Sequence, residues 1–265
     1  MTRPGTALVR PPGPRLAEGI VTHIERRPVD VDLARTQHAA FRAALAGSGW
    51  RLREVDPADG HPDAVFVEDT MIVVDDVAVA TRPGAPVRRG EVAGSETAAA
   101  ALGLTLARIE PPATLDGGDV LQVGRTVYVG RAAAHARTNA DGVRALRRIL
   151  EPLGRTVVPV GLTGALHLKS AVNALPDGTL LGVPRFLDTT ALPTLRVPPE
   201  EDGSHVVPLG GGTVLLSTAA PRTAAWLDDL GFDVVTVDIG EFEKLEGCVT
   251  CLSVLCPAAG TGPAG

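Results

Sequence analysis

Aromatic residues are scarce in this chain: Phe, Trp and Tyr together make up 3% of 265 residues. Its core must therefore be built from Val, Leu and Ala. Basic charge is also short, with 25 Lys and Arg against 31 Asp and Glu and a net charge of −6. That balance argues against a nucleic-acid partner, which needs a basic face and usually stacking aromatics. It suits a site that attracts cations. No apolar run approaches the length of a membrane span or a signal-peptide core, so no membrane contact is implied. Cysteine is limited to Cys248, Cys251 and Cys256. Three is too few for a disulfide framework, and a reduced cytoplasmic setting is expected.

What is present is a recurring order of elements. Short strand pairs are expected at 64–74 with 77–81, at 119–123 with 126–130, at 166–175 with 179–183, and at 205–209 with 213–217. Pro176-Asp177-Gly178 is a strong turn between the third pair. Helices are expected at 33–46, 87–102, 138–153 and 221–230. Val143, Leu146, Ile149 and Leu150 fall at helical spacing, and Pro221 suits a first turn. Anchor points near Asp63, Asp116, His167, Gly211 and Cys251 recur at about 40–50 residues, which reads as a repeat of five units. A last strand at 248–256 has the N-terminal strand at 6–10 as a partner. Pairing them closes a ring and removes bare sheet edges, as in a propeller-like fold. A doubly wound sheet fits less well, because hairpin-short turns force antiparallel pairs. One domain over 1–257 with a frayed tail at 258–265 is expected.

The polar chemistry sits at the strand entrances. Cys251 opens Cys251-Leu252-Ser253-Val254-Leu255 and is placed like a nucleophile. In Asp116-Gly117-Gly118-Asp119 two carboxylates flank glycines, which allow close approach by a ligand; an ordinary turn before a strand is the plainer reading. His167 and Lys169 would share one face of a strand. Asp63, Glu68 and Asp69 surround an apolar centre, and acids in such a sequence need partners if buried. Cys248-Val249-Thr250-Cys251 also has redox or zinc spacing. No second Cys or His pair completes a zinc set, and thiols three apart on a strand face opposite sides, which disfavours a disulfide. Buried packing is the expectation for Cys256 and Cys248. A Cys, a His and several acids together fit nucleophilic attack on a planar guanidinium, which pairs with carboxylates.

The ordered set of 63–69, Thr81-Arg82-Pro83-Gly84-Ala85, 114–121, Arg137-Thr138-Asn139, 167–170 and 245–254 resembles the dimethylarginine dimethylaminohydrolase family of guanidino-group-modifying enzymes. The resemblance covers nearly the whole chain. It implies a five-bladed α/β propeller of ββαβ units with pseudo-fivefold symmetry, the pentein fold. It implies Cys251 as nucleophile, His167 as general acid/base and Asp116 as the carboxylate that orients it. Glu68 and Asp69 match residues that face the guanidinium. Asp63 and the Leu16 backbone match the grip on the α-amine. Arg88, with Arg89 as an alternative, and Arg137 match the clamp on the α-carboxylate, with Ser170 lining that end. Glu246 matches an acid near the reacting nitrogens, and Leu245 presents backbone there. A lid is expected at 11–19. The 131–136 stretch is longer than the family pattern before Arg137.

The implied activity is hydrolysis of Nω-methylated arginine to citrulline and an amine, with a small molecule as the partner and no metal or organic cofactor. Arginine deiminase-type chemistry on unmethylated arginine uses the same residue types. A non-catalytic arginine-binding protein would keep the acids and arginines but give Cys251 and His167 no reason to coexist. A thiol-redox protein built on Cys248 and Cys251 is a third reading. A homodimer stays open.

Overall fold

A computed structural model describes residues 4–132 and 137–258. The expected tail therefore falls, beyond residue 258, outside the described residues. The strands are, in chain order, β1 (Thr6–Val9), β2 (Arg51–Glu54), β3 (Met71–Val74), β4 (Val77–Ala80) and β5 (Thr105–Arg108). They continue with β6 (Val120–Val123), β7 (Thr126–Ala132), β8 (Thr156–Leu162), β9 (Val172–Ala174) and β10 (Leu180–Gly182). The last are β11 (Leu195–Arg196), β12 (Val207–Gly210), β13 (Thr213–Ser217), β14 (Asp233–Val237) and β15 (Val254–Cys256).

These strands form five three-stranded sheets, and four of them are consecutive in sequence: β3-β4-β5, β6-β7-β8, β9-β10-β11 and β12-β13-β14. In each, a hairpin-short turn makes the first two strands antiparallel, and the third returns parallel to the second. The fifth sheet joins the two ends of the chain. β15 runs antiparallel to β1 with Leu8 opposite Val254, and β1 runs parallel to β2. First strands of neighbouring sheets touch, β15 with β3 and β9 with both β6 and β12, so they form the inner ring. The expected α/β propeller is the architecture found.

Helices cover the outside. α1 (Val31–Gly47) is capped by Asp30, whose side chain accepts from the Asp32 and Leu33 N–H groups. α2 (Val92–Ala101) follows a 3-10 stretch at Pro86–Glu91, so the helix expected at 87–102 starts later. α3 (Ala140–Leu150) buries Val143, Leu146 and Leu150, and each such side chain contributes roughly 1.5–3 kcal/mol. α4 (Pro221–Asp229) starts on its proline. The β9-β10-β11 sheet departs from the pattern. Its crossover carries 3-10 turns at Pro184–Phe186 and Thr189–Ala191 in place of a helix. Prolines at 184 and 193 limit any longer helical run there.

The inner strands begin later than their apolar sequence suggests. Each is preceded by a 3-10 turn: Val67–Thr70, Gly117–Asp119, Leu168–Ser170, Glu201–Ser204 and Val249–Leu252. In the fourth unit this turn, and not Gly211, occupies the anchor position. Gly210, Gly211 and Gly212 instead take positive φ at the β12–β13 hairpin. The Val249–Leu252, Val67–Thr70, Gly117–Asp119 and Leu168–Ser170 turns pack in succession around the ring. Residues distant in sequence are thereby brought together.

Candidate active site

The Gly117–Asp119 turn explains its two glycines. A Cβ on Gly117 would sit 2.0 Å from the Glu68 carbonyl oxygen, and one on Gly118 would sit 2.7 Å from both Asp69 Oδ1 and His167 Nδ1. The glycines are there so that neighbouring protein turns can approach, which corrects the expectation of a close-lying ligand. Gly118 N–H donates to Asp69 Oδ1 at 2.9 Å. Asp119, which the sequence reading left without a role, fixes the next turn: it accepts from Leu168 N–H at 3.0 Å and from Thr138 Oγ1 at 2.6 Å. Burial raises its pKa to about 6, against the opposing pull of His167 and Thr138.

His167 caps the Leu168–Ser170 turn and does not lie within a strand. Its Nε2 is 3.1 Å from Asp116 Oδ2, and its Nδ1 is 3.8 Å from Asp69 Oδ1. Asp116 is itself held by Gly84 N–H at 2.7 Å. Burial alone would lower the His167 pKa. The Asp69 charge, the Asp116 hydrogen bond and the Asp119 charge outweigh burial and raise it to about 9. The ring is therefore an imidazolium at neutral pH. Asp69 is also buried, yet the charges of His167 and Arg88 hold it below the usual carboxylate range.

Cys251 is 8% exposed and Cys248 is 3% exposed. Both lie on the Val249–Leu252 turn or at its cap. Residues three apart eclipse in a 3-10 helix, so the two sulfurs are 3.2 Å apart without a bond. This overturns the expectation, drawn from an extended strand, that they face opposite sides. The hydrogen bond with Cys248, burial, and the Glu68 and Asp69 charges push the Cys251 thiol well above its ordinary pKa. Among the described residues, Asp69, Asp116 and His167 are clustered closely enough to hold a metal. Their mutual pairing already accounts for that closeness.

Cys251, His167, Asp63, Asp69, Arg88, Arg137, Leu245 and Glu246 line one cavity, together with Ile20, Phe66, Leu166 and Gly247. Its volume is about 20 Å³, room for about one water. Arg137 approaches Asp116 Oδ2 at 3.8 Å. Arg88 is on the cavity wall, whereas Arg89 turns to the Pro83 carbonyl. Arg88 is heavily engaged, bound to Asp69, Glu91 and the carbonyls of Asp63 and Phe66.

Four predicted residues are not on this wall. Asp116 stands behind His167. Glu68 turns away to Lys169 Nζ at 2.6 Å and Thr250 Oγ1 at 3.1 Å, and burial raises its pKa to about 7. Lys169 thus serves Glu68 and shares no strand face with His167. Ser170 gives its carbonyl to His205. The Leu16 carbonyl accepts from Gly19 N–H.

The covering loop extends beyond the expected 11–19. Ile20 N–H donates to Asp63 Oδ1 at 3.0 Å, and the N–H groups of Thr22 and His23 donate to Glu246 at 2.7 and 2.5 Å. Glu246 adopts a positive φ of 61°, a strained conformation for a side chain that must face the loop.

No family model matches the chain. It is 57% identical over 249 residues to the N(G),N(G)-dimethylarginine dimethylaminohydrolase of Streptomyces coelicolor, covering 94% of this chain and 95% of that one. A crystal structure of a dimethylarginine dimethylaminohydrolase histidine-to-glycine variant, an adduct with S-methyl-L-thiocitrulline, superposes with a TM-score of 0.87. It is 30% identical and covers 97% of this chain and 100% of that one. The Pseudomonas aeruginosa enzyme, as a cysteine-to-serine variant with citrulline, gives 0.85 at 31% identity with the same coverage. Five sheets in a ring around a Cys–His–carboxylate cavity define a pentein-fold hydrolase acting on a guanidino group. Within that class, the chain belongs to the dimethylarginine dimethylaminohydrolase family.

Proposed function

We propose that the protein hydrolyses Nω-methylated L-arginine, as asymmetric dimethylarginine or monomethylarginine, to L-citrulline plus dimethylamine or methylamine. The observation that carries this reading is the single cavity shared by Cys251, His167, three carboxylates and Arg137.

In the proposed reaction, the Cys251 sulfur attacks the guanidinium carbon. The resting thiol has a raised pKa; the guanidinium arriving beside it favours the thiolate, and the thiol proton leaves to solvent because His167 already carries one. His167, already protonated, gives its proton to the departing amine and leaves an S-alkylthiouronium on Cys251. The neutral imidazole then takes a proton from water, which attacks the same carbon and releases citrulline. Asp116 keeps His167 oriented throughout and favours its return to the charged form as it takes the proton from water. Asp69 faces the guanidinium, while Glu68 acts from behind the wall by holding Thr250 and Lys169.

The α-amine would displace Ile20 N–H from Asp63, near the Leu16 carbonyl. The α-carboxylate would meet Arg137, with Arg88 contributing its uncommitted Nη1 hydrogen and Ser170 bordering that end. Leu245 and Glu246 would close over the reacting nitrogens. Because the cavity is smaller than the substrate, the loop pinned to Asp63 and Glu246 must open first. Residues 1–257 are read as one catalytic domain, and the three free thiols favour a reducing compartment such as the cytoplasm.

The test is to supply asymmetric dimethylarginine, monomethylarginine and arginine and to measure citrulline. Turnover of the methylated substrates is expected, abolished by Cys251→Ser and by His167→Ala. Citrulline from arginine alone would replace this reading with a deiminase.

A further inference from the structure

Hydrolysis needs one thiol, yet the site holds two in contact. Cys248 Sγ and Cys251 Sγ are 3.2 Å apart, and Cys248 N–H also points at Cys251 Sγ from 3.4 Å. Closure to a disulfide requires a movement of about 1.2 Å, to a bond near 2.05 Å. Only Cys251 faces the cavity.

Cys248 has a second contact, with Thr250 Oγ1 at 3.2 Å. The Thr250 hydroxyl donates to Glu68 Oε2 at 3.1 Å, and Glu68 is paired with Lys169. A hydroxyl has one hydrogen, so Thr250 accepts from the Cys248 S–H. A directed chain therefore runs from Cys248 through Thr250 to a buried carboxylate. With the Cys248 hydrogen committed to Thr250, the hydrogen between the sulfurs comes from Cys251, so Cys248 Sγ accepts from Cys251, the sulfur that meets solutes.

We propose that Cys251 and Cys248 form an oxidation site for hydroperoxides, with Cys251 as the sulfur attacked first and Cys248 as its resolving thiol. The Cys251 thiolate takes the terminal peroxide oxygen. An S–O bond forms, the O–O bond breaks, and the remaining oxygen leaves as water or an alcohol after taking up a proton. Sulfur loses two electrons and the peroxide gains them. Cys248 then attacks the sulfenic sulfur: S–S forms, S–O breaks, and the oxygen leaves as water with the proton Cys248 releases. The disulfide blocks hydrolysis and keeps Cys251 from advancing to sulfinic acid, which thiols do not reverse. Disulfide formation rests on the sulfur positions alone, while the loss of turnover rests on the reading of Cys251 as nucleophile.

The experiment treats the purified full chain with hydrogen peroxide, then measures intact mass, peptide masses, free thiols under denaturant and citrulline formation, before and after dithiothreitol. The expected product lacks two hydrogens, has lost two of the three thiols, and shows turnover at least tenfold lower that dithiothreitol restores. Cys256→Ser should behave as wild type. Cys248→Ser and Cys248→Ala should instead gain two oxygens on Cys251 and stay inactive after dithiothreitol. Sulfinic acid on wild-type Cys251 without a disulfide overturns the proposal, as does equal recovery of the Cys248 variants. A disulfide with undiminished turnover supports the oxidation site and overturns the nucleophile assignment.

Discussion

Replacing Asp116 by Asn tests the electrostatics of the site most directly. The side chain keeps its size, and its oxygen can still accept from Gly84 N–H. The amide nitrogen, however, would meet His167 Nε2 at about the 3.1 Å now spanned by the carboxylate. Two donors would then face each other unless the imidazole loses its proton. Unit charges 4 Å apart interact by about 4 kcal/mol at an effective dielectric of 20, and one pKa unit is about 1.4 kcal/mol. On that scale loss of Asp116 lowers the His167 pKa by roughly two to three units. Asp69 and Asp119 remain, so a fall from about 9 to roughly 7 is expected. At pH 8 the imidazolium fraction then drops about tenfold, and turnover with it. A pH titration of the His167 ring by NMR reads this, with His167→Ala identifying the resonance among six histidines. Stability follows the same linkage. A raised His pKa lends stability that is fully present below the unfolded value near 6.5 and is lost as pH rises through about 9. For His167 the loss is about 3 kcal/mol across that window, and under about 1 kcal/mol in the variant. A ring that still titrates near 9 in the variant would refute the argument.

Gly118→Ala should cost about 1–3 kcal/mol in urea unfolding, since its Cβ would press on Asp69 and His167; unchanged stability and turnover would mean that the turns are not in close contact. Glu246→Ala should speed amide hydrogen exchange at Thr22 and His23 and raise KM more than it lowers kcat, and unaltered exchange would show that Glu246 does not hold the loop. His38 is buried with Nε2 unpartnered, and burial with the Arg42 charge lowers its pKa to about 4. The unfolded chain binds that proton first, so stability falls by up to about 3 kcal/mol as pH drops from 6.5 to 4. His38→Leu should remove this fall, as measured by urea unfolding at both pH values.

The ring of five units was legible because hairpin-short turns and apolar strand pairs recur in the sequence, and because strand 6–10 had a partner at the far end. The 3-10 turns were not legible. Val67, Leu168 and Val249 look like strand residues, and only neighbouring turns decide that they coil. That one difference reversed the reading of Cys248 and Cys251, moved Lys169 onto Glu68, and turned Gly117 and Gly118 from ligand contacts into packing contacts. No α-helix was expected between β10 and β11 and none is there, in keeping with the prolines at 184 and 193. Asp119 carried a signal, a carboxylate after Gly-Gly, but its work is done on Leu168 and Thr138, residues a linear reading does not connect to it.

The pairing of β1 with β15 also sets an order of events during synthesis. Cys251 lies three residues before Val254, the residue that registers with Leu8. A growing chain can assemble Asp63, Asp69, Asp116, His167 and the arginines with three sheets while the thiol is still unmade. The sheet that closes the ring can be completed only after residue 256 has left the ribosome, because β1, which pairs on one side with β2, must wait for its antiparallel partner some 250 residues downstream. The reactive sulfur is thus delivered by the same step that completes the fold, into surroundings already built to receive it.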